Sequence, residues 1–275
     1  MTEKIKLSNG IEIPRLFFGT YKLADSQEAM DLAIKNGLDA GYRGIDTAEH
    51  YGNEEMVGKA LRNSGYDREE LFLTTKIWNT DHGYERTLEA FEESEKRLGT
   101  YVDMLLIHWP CPMKGLYTDT WRALQKLYED KRVSVIGVSN FKEKHLEVLK
   151  KAGGMQPMVN QVEMHPYFVQ EDLMEYCGKN RIAIQAWSPF LRGKNVAEHE
   201  LIQEIGRTHN KSPAQIVLRY LTQLGAAVTI KTSSYEHALA NRNIFDFCLT
   251  KKEMEELKTL NAGKRIYQDP DEYYL

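Results

Sequence analysis

The chain alternates short apolar runs with longer amphipathic segments along nearly its whole length. Short apolar runs are typical of parallel strands buried on both faces, and apolar steps of three and four residues are typical of a helix that packs on a sheet. Trp121, Leu124, Leu127 and Tyr128 follow the helical steps. Eight runs fit buried strands, and they cover residues 16–19, 43–47, 71–76, 102–108, 133–139, 159–163, 183–187 and 227–231.

This alternation predicts one closed (β/α)8 barrel, the TIM-barrel architecture of the α/β class. Two doubly wound halves would use the same units, but no Pro/Gly/Ser-rich linker divides the 275 residues. We therefore predict a single domain over residues 1–275. Asn9-Gly10, between two short apolar segments, predicts an N-terminal β-hairpin. A short charged helix from Thr250 to Leu260 and a polar tail over 267–275, able to fold over the barrel mouth, complete the predicted architecture.

Composition argues against several kinds of partner. Charged residues make up 28% of the chain and the net charge is only -4, so we expect no nucleic-acid partner. No segment resembles a signal peptide or approaches the roughly 20 apolar residues that cross a bilayer, so we expect no membrane partner and a cytoplasmic location. Cys111, Cys177 and Cys248 lack CxxC spacing, which favours reduced thiols.

Four polar residues stand at or just after the ends of three predicted strands. Asp46, Lys76 and His108 end otherwise apolar runs, and Tyr51 lies in the loop after Asp46. Each alone has an ordinary structural interpretation, such as a turn cap, rim packing, a solvated strand end or a buried core histidine. In a barrel, however, the C-terminal strand ends meet at one mouth, where the chemistry of such proteins is found. We therefore expect the four side chains to converge.

Together these residues form a set that can transfer a proton to oxygen. A phenol with a pKa of about 10 is a poor acid near neutral pH unless its anion is stabilised. Lys76 would favour the tyrosinate of Tyr51, Asp46 would keep Lys76 charged, and His108 could align a substrate carbonyl. None of the four supplies a hydride, so a cofactor must do so. No GxGxxG follows a strand and no GxxxxGK[ST] occurs, so the cofactor site is neither a Rossmann nor a Walker site.

The segments that carry these residues resemble those of the aldo-keto reductases, nearly from end to end. The matching segments are residues 44–54, which hold the Asp-Thr-Ala sequence and Tyr51, then 75–79, 105–110, 136–141 and 160–167. Their order and spacing both match. The resemblance implies reduction of aldehydes or ketones to alcohols, with hydride from a nicotinamide and the proton from Tyr51. It implies catalytic roles for Asp46, Tyr51, Lys76 and His108.

The resemblance also implies an extended NADP(H) across the mouth, held by Thr20, Tyr21, Asp46, Ser139, Asn140, Gln161, Trp187, Ser188, Phe190, Lys231, Thr232, Ser233, His237 and Asn241. Trp187 would stack on the nicotinamide, where the family often has Tyr. His237 stands where the family usually has the Arg that clamps the 2'-phosphate of NADPH. Because an imidazole offers no guanidinium fork, we expect NADPH to be used and NADH to be accepted better than usual.

For the substrate, the resemblance implies an aromatic cleft formed by Tyr21, His50, Trp78, His108 and Trp109. The loop after His108 and the tail are short, which suggests an open, permissive mouth. The likeness is to short-loop microbial members, among them diketogluconate and methylglyoxal reductases and protozoan prostaglandin F synthases. A monomer is the common form of the family.

Two other classes remain open on the sequence. A metal-dependent barrel hydrolase would draw ligands from a set of six residues near the mouth: His50, Asp81, His82, His108, Glu163 and His165. No third ligand is fixed by spacing, so we expect no metal site. A non-catalytic nucleotide-sensing subunit would keep the cofactor site and lose turnover. The presence of all four proposed catalytic residues argues against it.

Overall fold

The computed structural model describes residues 3–191, 196 and 198–273, and eight of its strands close into a parallel barrel. The barrel strands are β3 (Leu16–Gly19), β4 (Gly44–Asp46), β5 (Phe72–Ile77), β6 (Met104–Ile107), β7 (Val135–Ser139), β8 (Val159–Glu163), β9 (Ala183–Trp187) and β10 (Ala227–Ile230). Around the barrel they follow the order β10-β3-β4-β5-β6-β7-β8-β9. The predicted hairpin is also present, as β1 (Lys4–Lys6) paired antiparallel with β2 (Glu12–Pro14). The predicted fold class is confirmed.

Ten helices are assigned in the described part of the chain, most of them between successive barrel strands. They are α1 (Gln27–Asp39), α2 (Glu54–Asn63), α3 (Tyr84–Leu98), α4 (Tyr117–Glu129), α5 (Glu143–Ala152), α6 (Glu171–Lys179), α7 (Glu200–His209), α8 (Pro213–Gln223), α9 (Tyr235–Arg242) and α10 (Lys251–Lys258). Ser212 caps α8 by accepting a hydrogen bond from the backbone N–H of Gln215, with Pro213 in the first turn. Among the described residues, no helix has the length and apolar composition needed to cross a bilayer.

Four strands are shorter than predicted: β4, β6, β7 and β10, which were predicted over 43–47, 102–108, 133–139 and 227–231. Thr47 and His108 lie just beyond the ends of β4 and β6. Their backbone N–H groups nevertheless donate to the carbonyls of Thr74 and Ile77, at 2.9 and 3.1 Å. These contacts keep each segment in line with the neighbouring strand, so the side chains after the strand ends still face the mouth.

The tail after α10 crosses the mouth of the barrel and is attached there by several contacts. The backbone N–H of Ile266 donates to Glu163 Oε1 at 2.7 Å, at the end of β8. Further on, Lys142 binds Asp269 at 2.5 Å and Asp271 at 2.8 Å. The described part of the tail therefore folds over the mouth, as the sequence predicted, and residues 274 and 275 lie outside the described residues.

Candidate active site

A cavity of about 700 Å³ opens at the C-terminal ends of the barrel strands. Its walls include residues from β3, β4, β7, β8, β9 and β10 and from the tail. The lining contains all five residues proposed for the substrate: Tyr21, His50, Trp78, His108 and Trp109. Asp46 and Tyr51 also line the cavity. Lys76 is not among the lining residues and is completely buried.

The side chain of Lys76 joins Asp46 and Tyr51 at the bottom of the cavity. Its ammonium donates to Asp46 Oδ1 and to the carbonyl of Thr47, both at 2.7 Å, and lies 3.5 Å from the hydroxyl of Tyr51. The ring of His108 stands edge-on to that of Tyr51, with centroids 5.8 Å apart. The structure thus brings the four predicted residues together.

A short loop brings Tyr51 into this group. Residues Glu49–Tyr51 form a single 3-10 turn after β4, and Gly52 ends it in the left-handed region with a φ of 64°. A residue without Cβ adopts this conformation at little cost, and here it allows the chain to turn directly into α2. The turn places the ring of Tyr51 in the wall of the cavity.

The electrostatics of the group are governed by burial. Burial and the carboxylate of Asp46 raise the pKa of Tyr51 well above its usual value, so the phenol holds its proton at neutral pH. Burial also lowers the pKa of Lys76, although Asp46 acts in the opposite direction. The sequence led us to expect that Lys76 would favour the tyrosinate form of Tyr51. In the structure, desolvation of the phenol outweighs that effect.

A second polar group lies beside the first, at the ends of β7 and β8. Gln161 Nε2 donates to Asp46 Oδ2 at 2.6 Å, and Ser139 Oγ donates to the backbone carbonyl of Gln161 at 2.9 Å. Asn140 adopts the left-handed conformation, with a φ of 64°, which asparagine tolerates better than most residues. Its Nδ2 donates to the carbonyl of His108 at 2.9 Å. These bonds connect the amide side chains to the residues around Tyr51.

Trp187 forms the wall next to these amides. Its indole Nε1 donates to Asn140 Oδ1 at 3.0 Å, which fixes the plane of the ring. The ring of Tyr267, from the tail, packs against the indole with centroids 4.7 Å apart at 74°. Trp187 therefore presents a flat apolar surface whose orientation is set by its neighbours.

Aromatic rings line the other side of the cavity. The imidazole of His50 stacks on Trp78 with centroids 3.6 Å apart, and burial lowers its pKa. Trp109 packs against Tyr273 of the tail, with centroids 4.4 Å apart. This side offers apolar faces to a small ligand.

The structure separates the predicted cofactor residues into two groups. Ten of the fourteen line the cavity: Thr20, Tyr21, Asp46, Ser139, Asn140, Gln161, Trp187, Ser188, Phe190 and Lys231. Four do not line it, namely Thr232, Ser233, His237 and Asn241. These follow β10 and continue into α9, whose first backbone N–H groups are partly satisfied by the Ser234 hydroxyl. The structure therefore places these four residues outside the cavity wall.

Eight lining residues were not assigned to the site from the sequence: Gly19, Lys22, Pro189, Thr229, Ile230, Tyr267, Gln268 and Tyr273. The polar tail was predicted to reach the mouth, but nothing local marks which of its side chains face inwards. Lys22 directly follows Tyr21, and its backbone carbonyl accepts a hydrogen bond from Lys231 at 3.1 Å. Only the position of Lys22 beside a predicted site residue could have suggested it.

The residues considered as metal ligands have other contacts. Glu163 and His165 bind each other at 3.2 Å, and Asp81 binds Arg86 at 2.6 Å. In the part of the chain that the structure describes, no cluster of three or more His, Cys, Asp or Glu side chains could hold a metal ion. Glu163 instead accepts the tail N–H of Ile266.

A phenol, an ammonium and a carboxylate can exchange protons but cannot supply a hydride. Together with the amide side chains and the flat indole, they define the mouth of a barrel oxidoreductase that takes its redox chemistry from a cofactor. A family model described as the aldo/keto reductase family matches residues 15–262. The chain belongs to this family, and it is an oxidoreductase that reduces aldehydes and ketones with a nicotinamide cofactor.

Similar proteins match over nearly the whole chain. A 9,11-endoperoxide prostaglandin H2 reductase of Trypanosoma cruzi is 46% identical over 98% of this chain and 95% of that protein. A glyoxal reductase of Bacillus subtilis is 46% identical over 99% and 98%. A solved mutant of Gox0644 in complex with NADPH is 38% identical, covers 97% of both chains and has a TM-score of 0.92.

The donor set in this chain fits a nicotinamide. Ser139, Asn140 and Gln161 are nearly or completely buried and combine one hydroxyl with two carboxamides, the groups that pair with another carboxamide. Trp187 supplies an aromatic face next to them. The polar and the flat surfaces that such a ring needs therefore adjoin Tyr51.

Proposed function

We propose that Tyr51 is the proton donor in the reduction of small aldehydes and ketones by this enzyme. The observation that carries the proposal is the position of the Lys76 ammonium, 2.7 Å from Asp46 and 3.5 Å from the Tyr51 hydroxyl. When bound, the nicotinamide supplies the hydride that reaches the carbonyl carbon. Tyr51 gives its proton to the carbonyl oxygen.

Lys76 assists Tyr51 as negative charge develops on the phenol oxygen. The raised pKa of Tyr51 keeps the proton on the phenol until the reaction begins. The adjacent ammonium, which is itself completely buried, then stabilises the tyrosinate more strongly than it would in bulk water. Asp46 holds the ammonium in place and supports its protonated form.

His108 orients the carbonyl. Burial and the nearby Lys76 lower the pKa of His108 well below its usual value, so its ring is neutral at pH 7. A neutral imidazole carries one N–H and can donate it to the carbonyl oxygen without competing as an acid. Tyr21, His50, Trp78 and Trp109 surround the rest of the substrate.

For the cofactor, we propose that Ser139, Asn140 and Gln161 bind the carboxamide and that Trp187 stacks on the ring. Thr20, Tyr21, Asp46, Ser188 and Phe190 complete the binding surface in the cavity. Lys231, Thr232, Ser233, His237 and Asn241 bind the adenosine phosphate end, beside the N-terminus of α9, where anions are favoured. The enzyme prefers NADPH, but His237 weakens that preference.

We also propose a cytoplasmic monomer. All three cysteines are free, and two of them, Cys111 and Cys177, are buried, which suits a reducing compartment. Light scattering of the purified protein tests the oligomeric state. A stable dimer would contradict that part of the proposal.

The decisive experiment follows NADPH oxidation with a panel of aldehydes, ketones and keto-sugars, for the wild type and Tyr51→Phe. Phenylalanine keeps the ring and removes only the acid, so reduction of the best substrate should fall by about a hundredfold or more. Tyr101→Phe, at an exposed position before β6, is the matched control and should keep full activity. An undiminished rate for Tyr51→Phe would refute the role of Tyr51.

The cofactor preference is tested by the ratio of kcat/KM for NADPH and NADH. We expect NADPH to be favoured by less than about a thousandfold, which corresponds to roughly 4 kcal/mol. A larger preference would show that His237 does not weaken recognition of the 2'-phosphate.

A further inference from the structure

Two glutamates flank Tyr51 along the chain, and neither lines the cavity. Glu49 begins the 3-10 turn that contains Tyr51, and Glu54 begins α2 three residues after it. The side chain of Glu54 is 1% exposed and that of Glu49 is 16% exposed. Buried carboxylates are costly unless they are paired, so their partners show what they hold together.

Glu54 connects the loop of Tyr51 to the strand of Lys76. Thr75 Oγ1 donates to Glu54 Oε1 at 2.5 Å, and Arg97 Nε donates to Glu54 Oε2 at 2.8 Å. Thr75 directly precedes Lys76 on β5, and successive side chains on a strand point to opposite faces. Glu54 therefore binds β5 on the face opposite to the one that carries the side chain of Lys76.

Glu49 makes the second connection, beyond the end of the same strand. Its Oε2 accepts the backbone N–H of Trp78 at 3.1 Å, and its Oε1 lies 3.8 Å from Arg97 Nη2. One guanidinium on α3 thus lies between both carboxylates. The loop of Tyr51 is attached to β5 on either side of Lys76.

We propose that Glu54, together with Arg97, is a positioning residue that fixes the Tyr51 hydroxyl relative to the Lys76 ammonium. This inference rests on the proposed function, because it requires Tyr51 to be the acid. Neither Glu54 nor Arg97 lines the cavity. A displacement of about 1 Å at a reacting group can cost a hundredfold in rate, so even a small shift of the loop would be measurable.

Glu54 also acts on Lys76 through its charge. Its carboxylate is among the groups that raise the pKa of Lys76, against the larger opposing effect of burial. Removing this charge while keeping the side-chain shape should make the ammonium easier to deprotonate. A purely structural residue would have no such effect.

The test compares Glu54→Gln, Arg97→Met and Arg97→Lys by steady-state kinetics with NADPH and one good aldehyde. Glu54→Gln and Arg97→Met should lower kcat about tenfold and leave KM within about twofold, since the loss concerns geometry in the transition state. Arg97→Lys restores the charge and should recover part of kcat. Arg97 is 37% exposed and Arg97→Lys keeps a cation beside Glu54, so this variant should fold even if Glu54→Gln does not. Arg122→Met, which breaks an exposed ion pair with Asp119 on α4, is the matched control and should match the wild type.

The pH profile of kcat separates positioning from simple destabilisation. Glu54→Gln should move the basic limb to lower pH, because Lys76 loses a stabilising negative charge. Arg97→Met removes a positive charge and should not shift the limb in that direction. An unchanged kcat in Arg97→Met and Arg97→Lys would overturn the inference. So would a loss of kcat that the unfolded fraction of each variant explains, with no shift of the basic limb in Glu54→Gln. If Tyr51→Phe retains full activity, the proposed function fails instead.

Discussion

The ammonium of Lys76 lies 2.7 Å from Asp46 Oδ1, and the two side chains are 0% and 3% exposed. Asp46 also accepts a hydrogen bond from Gln161 Nε2 through its other oxygen, at 2.6 Å. One carboxylate therefore joins the proposed proton donor group to the proposed carboxamide site. Replacing either partner of such a pair is strongly destabilising, because the charge of the other partner would be left buried without a counter-charge.

Asp46→Asn should therefore reduce both stability and activity. Loss of one partner of a buried ion pair typically costs about 3–5 kcal/mol. We expect the free energy of unfolding to fall by roughly the lower of these figures, since the Lys76 ammonium keeps its hydrogen bond to the carbonyl of Thr47. Urea denaturation measures this change, and kcat should fall in the folded fraction. Asp119→Asn breaks an exposed ion pair and should cost less than about 1 kcal/mol. Equal losses in the two variants would contradict the importance of the buried pair.

The stability of the enzyme should decrease between about pH 6.5 and pH 4 through His82. Burial, assisted by Lys114, lowers the pKa of His82 from 6.5 to about 4, and neither ring nitrogen has a hydrogen-bond partner among the described residues. The unfolded chain therefore binds a proton that the folded protein does not. The contribution is fully present above pH 6.5 and is lost towards pH 4, and it amounts to about 3 kcal/mol.

His82→Phe tests this prediction, because phenylalanine keeps a ring of similar size and does not titrate. The free energy of unfolding, measured from pH 4 to pH 7 without cofactor, should depend less steeply on pH in this variant. His237→Asn, at an exposed position on α9, should keep the wild-type slope. An unchanged slope in His82→Phe would show that other groups cause the acid sensitivity.

The barrel and the convergence of the polar residues at its strand ends could be predicted because both depend on local patterns, whereas the cofactor and substrate residues were implied only by the family resemblance. Apolar runs mark the strands, and the polar residues after them must meet at one mouth once the barrel closes. Asp46, Lys76 and His108 are of this kind. The direction of the pKa shift of Tyr51 was not predictable, since it depends on how deeply the ring is buried by residues far away in the chain.

The tail shows where sequence reasoning ended. Tyr273 packs against Trp109 in a segment of the tail that Asp269 and Asp271 attach to Lys142. These contacts join residues more than a hundred positions apart, and no periodic pattern marks them. The same holds for Glu54 and Arg97, whose roles emerge only when α2, α3 and β5 are packed together.

Tyr273→Ala should weaken substrate binding while leaving the chemical step intact. The ring of Tyr273 packs on Trp109 at 4.4 Å and edge-on to Trp78 at 6.2 Å, so it completes the aromatic wall of the proposed substrate cleft. An aromatic contact contributes about 0.5–1.5 kcal/mol, so KM for an aromatic aldehyde should rise about two- to tenfold with kcat little changed. Tyr273→Phe keeps the ring and should retain the wild-type KM. A fall in kcat alone would place the effect of Tyr273 on the chemistry instead.

His237→Arg should strengthen the preference for NADPH. His237 is exposed in the first turn of α9, close in sequence to Lys231, Thr232 and Ser233, and its backbone N–H is bound by the Ser234 hydroxyl. A guanidinium here can offer two donors to a 2'-phosphate, and a hydrogen bond to a charged group contributes about 1.5–3 kcal/mol. The ratio of kcat/KM for NADPH and NADH should therefore increase about 10- to 100-fold, mainly through KM for NADPH. The neutral variant His237→Gln should leave the ratio near that of the wild type. If the arginine raises kcat/KM for both cofactors equally, the side chain at this position contacts the shared adenosine and not the phosphate that distinguishes them.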